Sequence, residues 1–496
     1  MTLRVTNTLT GEREVFEPHD PDSVLLYYCG LTTSDPAHLG HARGWVHVDV
    51  MHRWLDWLGY DVRHVENFTD VNEKVVARVG EDGASEREVA RSYVGDIIRD
   101  MRSLNLLRAE VYPRVSEHVP EIVALVERLL ERGYAYESDG SVYFDVTSFE
   151  DYGKLSNQTI EEIEAQGDGS ERAEKHHPAD FALWKAGGVD PEDIADHRHE
   201  GATPPEVAAE TAETWDSPWG EGRPGWHIEC SAMSTTHLDD TIDIHVGGQD
   251  LVFPHHENEI AQTEAATGET FARYWLHVRL LNVADEEKMS SSLGNFETVA
   301  AAVDGYGANV VRTFLLSTAY YNEAVYSQET VREASERFER LQRGHERAVA
   351  ACDSVDARTK VRDEQLRRDL VDAREAFVDA MNDDFNTRGA LAALEAVVSA
   401  VNAHLDGHEE HDYRGLRRAI ETLEEFAGGV FGLVLGEQRP AGEATLAEEL
   451  VELVLGVREA HREAGNYDRA DALRDDLEAL GIEVQDTDDG PEYRFG

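Results

Sequence analysis

A chain of 496 residues with a formal net charge of −54 is neither a basic nucleic-acid-binding domain nor a single-core domain, and roughly two to four domains are expected. Hydrophobic residues make up 41%, enough for substantial cores, while no apolar run approaches the ~18 residues of a membrane span. Three cysteines, Cys29, Cys230 and Cys352, are too few and too scattered for a disulfide framework.

Met1-Thr2-Leu3-Arg4 lacks the apolar stretch of a secretory signal, so a cytoplasmic protein is expected. Six of the 46 basic residues are lysine and 40 are arginine, set against 100 acidic residues. A folded chain under such self-repulsion needs strong screening, and at molar salt the Debye length falls to about 3 Å. A halophilic cytoplasm follows; an unusually acidic but ordinary protein is the plainer alternative.

In chain order, Val24 to Gly30 reads as a buried strand ending in a turn. A helix is predicted from about Ala42 to Leu58, closed by Gly59, and a second strand over Asp61 to Glu66. That order is a βαβ unit and implies a parallel sheet. Ser85 with Glu88 forms a capping-box pattern ahead of Val89, Tyr93, Ile97 and Met101 at helical spacing. An irregular region runs from roughly 110 to 225. Within it, residues 190–214 hold eight acidic residues against Arg198 alone and read as a solvated surface insertion. Strand-like alternation returns at Ile242, Ile244 and Val246, and from about 330 the pattern is helical. Residues 445–496 suggest two helices and a short terminal strand.

Three constellations carry chemistry. His38-Leu39-Gly40-His41 falls at the mouth of the first helix, where unpaired N–H groups and the helix dipole favour phosphate. Two imidazoles there add donors, and Gly40 permits close approach of a nucleotide; taken alone, they are ordinary polar loop residues. Lys288-Met289-Ser290-Ser291-Ser292 suits a phosphate clamp in a Ser/Gly-rich loop, or else a surface turn. His255 and Glu259, four apart on a helix expected to begin near Pro254, join Cys29 and Cys230 in a donor set that zinc accepts. Two small buried thiols are the alternative, and Cys352 keeps that reading.

Together these resemble the cysteinyl-tRNA synthetase family of class I aminoacyl-tRNA synthetases, over nearly the whole chain. The blocks Gly222-Arg223-Pro224-Gly225-Trp226-His227-Ile228-Glu229-Cys230-Ser231 and Gly247 to Ile260 carry the most specific likeness. Residues 27–32, Asn67-Phe68-Thr69-Asp70, 180–185 and Asp383-Asp384-Phe385-Asn386-Thr387 support it.

The resemblance implies an α/β fold: a Rossmann-type parallel-sheet catalytic domain over 1–325 with a connective insertion at about 110–225. A helical anticodon-binding domain over 326–435 and a small C-terminal domain over 436–496 follow. It implies ATP-dependent ligation of L-cysteine to tRNA-Cys through a cysteinyl-adenylate, by a monomer with no membrane partner. Cys29, Cys230, His255 and Glu259 are then ligands of one Zn2+, to which the substrate sulfur adds. Such a filter rejects serine without an editing site. Trp226 walls the amino-acid pocket, with Gly30 and Thr69 as further contacts. His38, Gly40, His41, Asp250, Lys288 and Ser291 serve ATP and its Mg2+, with His38, His41 and Lys288 catalytic.

Two departures stand out. The family's second loop lysine is Ser291 here, and the C-terminal aromatic-arginine pair survives as Tyr493-Arg494 after Asp486-Thr487-Asp488-Asp489-Gly490. A ligase passing cysteine to a small amine, lacking the region 330–496, and a catalytically inactive paralogue are the competing readings. Phosphate attraction weakens in salt, so tRNA recognition is expected through shape and unpaired bases, with arginine gathered on the tRNA-facing side of the helical domain.

Overall fold

The computed structural model describes residues 2–163, 174–199, 202–283 and 297–436, together with parts of 454–495. Contacts divide the chain into Met1–Leu435 and Gly436–Gly496.

The first unit opens with a hairpin of β1 (Arg4–Asn7) and β2 (Glu12–Val15). The apolar run of β3 (Ser23–Thr32) leads into helix α1 (Leu39–Trp57), and β4 (Asp61–Thr69) completes the expected βαβ unit. Helix α1 starts three residues earlier than its apolar pattern indicates, because His38 caps it, and it ends at Leu58 before Gly59 at φ +98°. Further on, β9 (Ile242–Gly248) and β10 (Ala272–Val278) join the same sheet, whose order is β10-β9-β3-β4 with every pairing parallel. Both faces of β9 are buried, so its polar alternates Asp243 and His245 are buried too.

The stretch read as irregular holds an antiparallel sheet: β5 (Ala135–Ser138), β6 (Ser141–Phe144), β7 (Phe181–Ala186) and β8 (Gly222–Pro224) in sequence order. It covers the helix Val119–Arg132 with a core of its own. Residues 190–214 are not simply solvated. The short helices Pro191–His197 and Pro205–Ala209 bury Ile194 and Ala208 against Val75, Val76, Val89 and Tyr93. Two apolar residues at the right positions outweigh the acidic composition around them. The capping box at Ser85 is also half made. Ser85 accepts from the Glu88 N–H, whereas the Glu88 carboxylate reaches the N–H of Ala84 instead.

Residues 328–423 form the helices Gln328–Cys352, Glu364–Asn382, Thr387–Gly407 and Tyr413–Leu423. They share one core with the parallel sheet: Trp54 of α1 meets Phe377 edge-on, and its Nε1 donates to Asn382 at 3.3 Å. Arg312, fully buried, ties Asp49 of α1 at 2.6 Å to the carbonyls of Leu104 and Phe431. Arg43 of α1 has no acid partner among the described residues; its guanidinium donates to the carbonyls of Arg279, Leu315, Thr318, Ala319 and Asn322. In the second unit, Ile482–Thr487 and Gly490–Phe495 pair antiparallel, so the expected terminal strand is a hairpin. Most of the two helices expected before it falls outside the described residues.

Candidate active site

In open parallel sheets ligands bind outside the carboxyl ends of the strands. A cavity of about 640 Å³ lies there, lined by residues that follow all four strands. Gly30, His38, Gly40 and His41 come after or at the end of β3, Lys74 and Arg78 after β4, Asp250 after β9, and Arg279 after β10. The helix Pro191–His197 and the residues after it close one side with Asp196, His197, Arg198 and His199.

Cys29, which lines the cavity, meets the other three predicted ligands behind the lining. Cys29 ends the buried part of β3, Cys230 sits in the helix Trp226–His237, and Glu259 in the helix Glu257–Thr267. That last helix begins three residues after Pro254; Phe253 is non-helical, yet His255 and Glu259 still share a face. Cys29 Sγ lies 3.6 Å from Cys230 Sγ and 3.4 Å from His255 Nε2, and His255 Nε2 lies 2.9 Å from Glu259 Oε1. All four donor atoms fall within 4.8 Å of one another, and all four residues are buried. Ligands of one tetrahedral zinc at bond lengths of 2.0–2.3 Å lie roughly 3.3–3.8 Å apart.

A second observation makes the fit specific. Glu259 Oε1 is buried without a hydrogen-bond partner although it faces His255 at 2.9 Å. A carboxylate oxygen and a ring nitrogen in that relation suit a shared cation. Without one, the Cys230 thiol is pushed well above its usual range by its hydrogen bond to Cys29 and by burial. Cys29 is also raised: the hydrogen bond to Cys230 lowers it, but burial and Glu259 outweigh that.

Residues that the sequence left without a role hold this cluster. His245 Nε2, on β9, donates to Glu259 Oε2 at 2.8 Å, and His227 Nδ1 lies 3.0 Å from His255 Nδ1. Such outer partners fix ligand orientation. Asn67 Oδ1 accepts from the Gly30 N–H and the Tyr27 hydroxyl, both at 2.9 Å, and its Nδ2 donates to Thr69 Oγ1 at 3.3 Å. A Cβ on Gly30 would stand 1.7 Å from the Asn67 carbonyl oxygen, so the crossing of β3 and β4 itself demands glycine there. The β3–β4 register shifts between Tyr28 and Leu31, at this same point.

His38 and His41 are first of all a helix cap. His38 Nδ1 accepts from the N–H groups of Gly40 at 3.1 Å and His41 at 3.4 Å, and His41 Nδ1 accepts from the His38 N–H at 3.3 Å. The rings stack with centroids 3.7 Å apart. Because both Nδ1 atoms accept, each neutral ring carries its proton on Nε2 and is a donor through that atom. The chain returning at Glu297 and Thr298 lies against this cap, with Leu39 N–H donating to the Glu297 carbonyl at 3.0 Å.

Trp226 remains 41% exposed, lines the cavity and lies against His255 with centroids 4.4 Å apart. Thr69 is buried beneath Asn67 and is not among the residues lining the cavity. Lys288 and Ser291 lie outside the described residues.

Comparison with known proteins agrees with this geometry. Residues 15–336 match the family described as tRNA synthetases class I (C) catalytic domain, and residues 376–436 match the DALR domain. Residues 446–494 match the cysteinyl-tRNA ligase anticodon binding domain, so that description falls on the segment expected as a small C-terminal domain. The chain is 73% identical to a cysteine–tRNA ligase of Haloarcula marismortui over 100% of both chains. It is 60% identical to that of Halobacterium salinarum, again over 100% of both, and 42% identical to that of Thermococcus onnurineus over 99% of this chain and 98% of the relative. Among solved structures, a Mycobacterium tuberculosis methionyl-tRNA synthetase in complex with methionyl-adenylate superposes with a TM-score of 0.60 at 15% identity. It covers 83% of this chain and 92% of its own, a likeness of fold.

Proposed function

The chain belongs to the cysteine–tRNA ligase family, which joins cysteine to tRNA, and on that premise we propose that it works through a cysteinyl-adenylate and selects cysteine by zinc. The observation that carries the zinc reading is the buried Cys29, Cys230, His255 and Glu259 cluster with its orphaned Glu259 oxygen. Bound there, zinc supplies a Lewis acid that accepts a thiolate far better than a serine hydroxyl, so discrimination is made at binding and no editing domain is required.

The protein's own groups do the rest by position. Trp226 walls the substrate side, and His255 and Glu259 are held in place by His227 and His245. The cysteine carboxylate attacks the α-phosphate of ATP, which enters with Mg2+, and pyrophosphate leaves. The Nε2–H groups of His38 and His41, the N-terminus of α1 and Lys288 stabilise the charge that builds on the phosphates. Asp250 serves the ribose or the amino group. The terminal ribose hydroxyl of tRNA-Cys then attacks the adenylate carbonyl and AMP departs. No protein nucleophile is needed. Among the described residues no helix is long and apolar enough to cross a membrane.

Charging of tRNA-Cys with labelled cysteine in molar KCl, alongside cysteine-dependent ATP–pyrophosphate exchange, tests the two steps. Cysteine-specific charging with one zinc per chain is the expected result. Equal charging with serine, or full activity in metal-free protein, overturns the zinc reading.

A further inference from the structure

Four lysine and arginine side chains line the cavity: Lys74, Arg78, Arg198 and Arg279. Two are engaged with the protein. Arg78 holds Asp35 through Nε at 3.1 Å and a terminal nitrogen at 2.9 Å and also reaches the His197 carbonyl; Arg198 reaches the carbonyl of Ala202. The guanidinium of Arg279 makes no hydrogen bond or ion pair among the described residues, and neither does the Lys74 ammonium. These two stand at opposite edges of the sheet, Lys74 after β4 and Arg279 after β10.

Only Arg279 is tied to the phosphate end. Its N–H donates to the Tyr320 carbonyl at 2.8 Å, and its own carbonyl accepts from Arg43 Nε at 3.0 Å. Arg43 lies on α1 two residues beyond His41, so the backbone of Arg279 is fixed to the first turns of the helix whose N-terminus awaits phosphate. An exposed guanidinium on a pinned backbone, without an ion-pair partner among the described residues of a chain of net charge −54, is built for an anionic ligand.

We propose that Arg279 is a further phosphate-binding residue of this ligase, contacting the β- and γ-phosphates of ATP and the pyrophosphate they become. The inference rests on reading the cavity as the ATP site. Its contribution is specific to adenylate formation: AMP and cysteine, which lack those phosphates, do not need it.

Cysteine-dependent ATP–pyrophosphate exchange by wild type, Arg279→Gln and Arg279→Lys tests it, with AMP inhibition measured in parallel. Arg279→Gln is expected to lower kcat/KM for ATP by roughly 10- to 100-fold, with the cysteine KM and AMP affinity held within about twofold. Arg279→Lys, which keeps the charge without the fork, recovers part of the loss. Unchanged exchange in Arg279→Gln overturns the assignment, and so does an equal loss of ATP and AMP affinity, which would put the arginine on the nucleoside. Absence of exchange in wild type that still charges tRNA instead defeats the adenylate reading beneath it. The thermal transition separates either result from misfolding.

Discussion

The two ends of the cavity are built on opposite plans. At the end proposed for the amino acid, Cys29, Cys230, His255 and Glu259 are between 0% and 7% exposed and are braced by a second layer of buried histidines and Asn67. At the end proposed for the nucleotide, two capping histidines, backbone N–H groups and exposed cations line the cavity, and the proposed ligand carries most of the charge itself. Selection between cysteine and serine, which differ by one atom, needs rigid donors at fixed separations. Binding a triphosphate needs charge at a helix end, and tolerates looser placement.

The largest effect expected from breaking this contrast is at the rigid end. Cys230→Ala should lose bound zinc, measured by metal analysis, and lower cysteine charging by more than roughly 100-fold. His38→Ala should keep its zinc yet lower ATP–pyrophosphate exchange on the order of 100-fold. Its stability should fall by only about 1 kcal/mol, the worth of a cap, in a thermal or denaturant titration. Retained exchange in that variant would mean the histidines are a cap and nothing more. Loosening the brace without touching a ligand, as in His245→Ala, should weaken zinc affinity by roughly 10- to 100-fold in a chelator competition.

The smallest expected effect lies outside both ends. Burial pushes the Asp412 carboxyl up, but the Arg367 fork at 2.7 and 2.8 Å and the N–H groups of Gly415 and Asp363 outweigh it and hold the pKa at about 2. A depressed carboxylate adds stability that is complete above the unfolded value of 3.8 and is lost as pH falls toward about 2. Arg367→Met should remove up to about 2 kcal/mol at neutral pH, and flatten the acid limb of the stability curve, while exchange and charging stay unchanged.

Much of this was legible in the chain. The βαβ unit, the helix at His38 and the four donors were all placed from residue types and motif likeness. What sequence could not supply was convergence: Cys29 and Cys230 lie in different elements, and only the parallel order β9-β3-β4 and the helix after Gly225 bring them within 3.6 Å. Asn67 was read only as part of a motif, because its work is to bridge two strands that are separate in sequence. His245 was hidden by strand alternation, which marks polar residues as outward when both faces of β9 are buried. Residues 190–214 misled for the reverse reason: averaged acidity concealed Ile194 and Ala208, whose burial carries that segment to the cavity wall.

The carbonyl clasp around Arg43 has a consequence for how such a chain can vary. Every amino acid carries a main-chain carbonyl, so positions 279, 315, 318, 319 and 322 meet their obligation to Arg43 whatever side chain they bear. The joint between α1 and the strand end that carries Arg279 is therefore written in one letter of the sequence. As far as this joint is concerned its partners are free to drift, and a tally of matched side-chain pairs would pass over it.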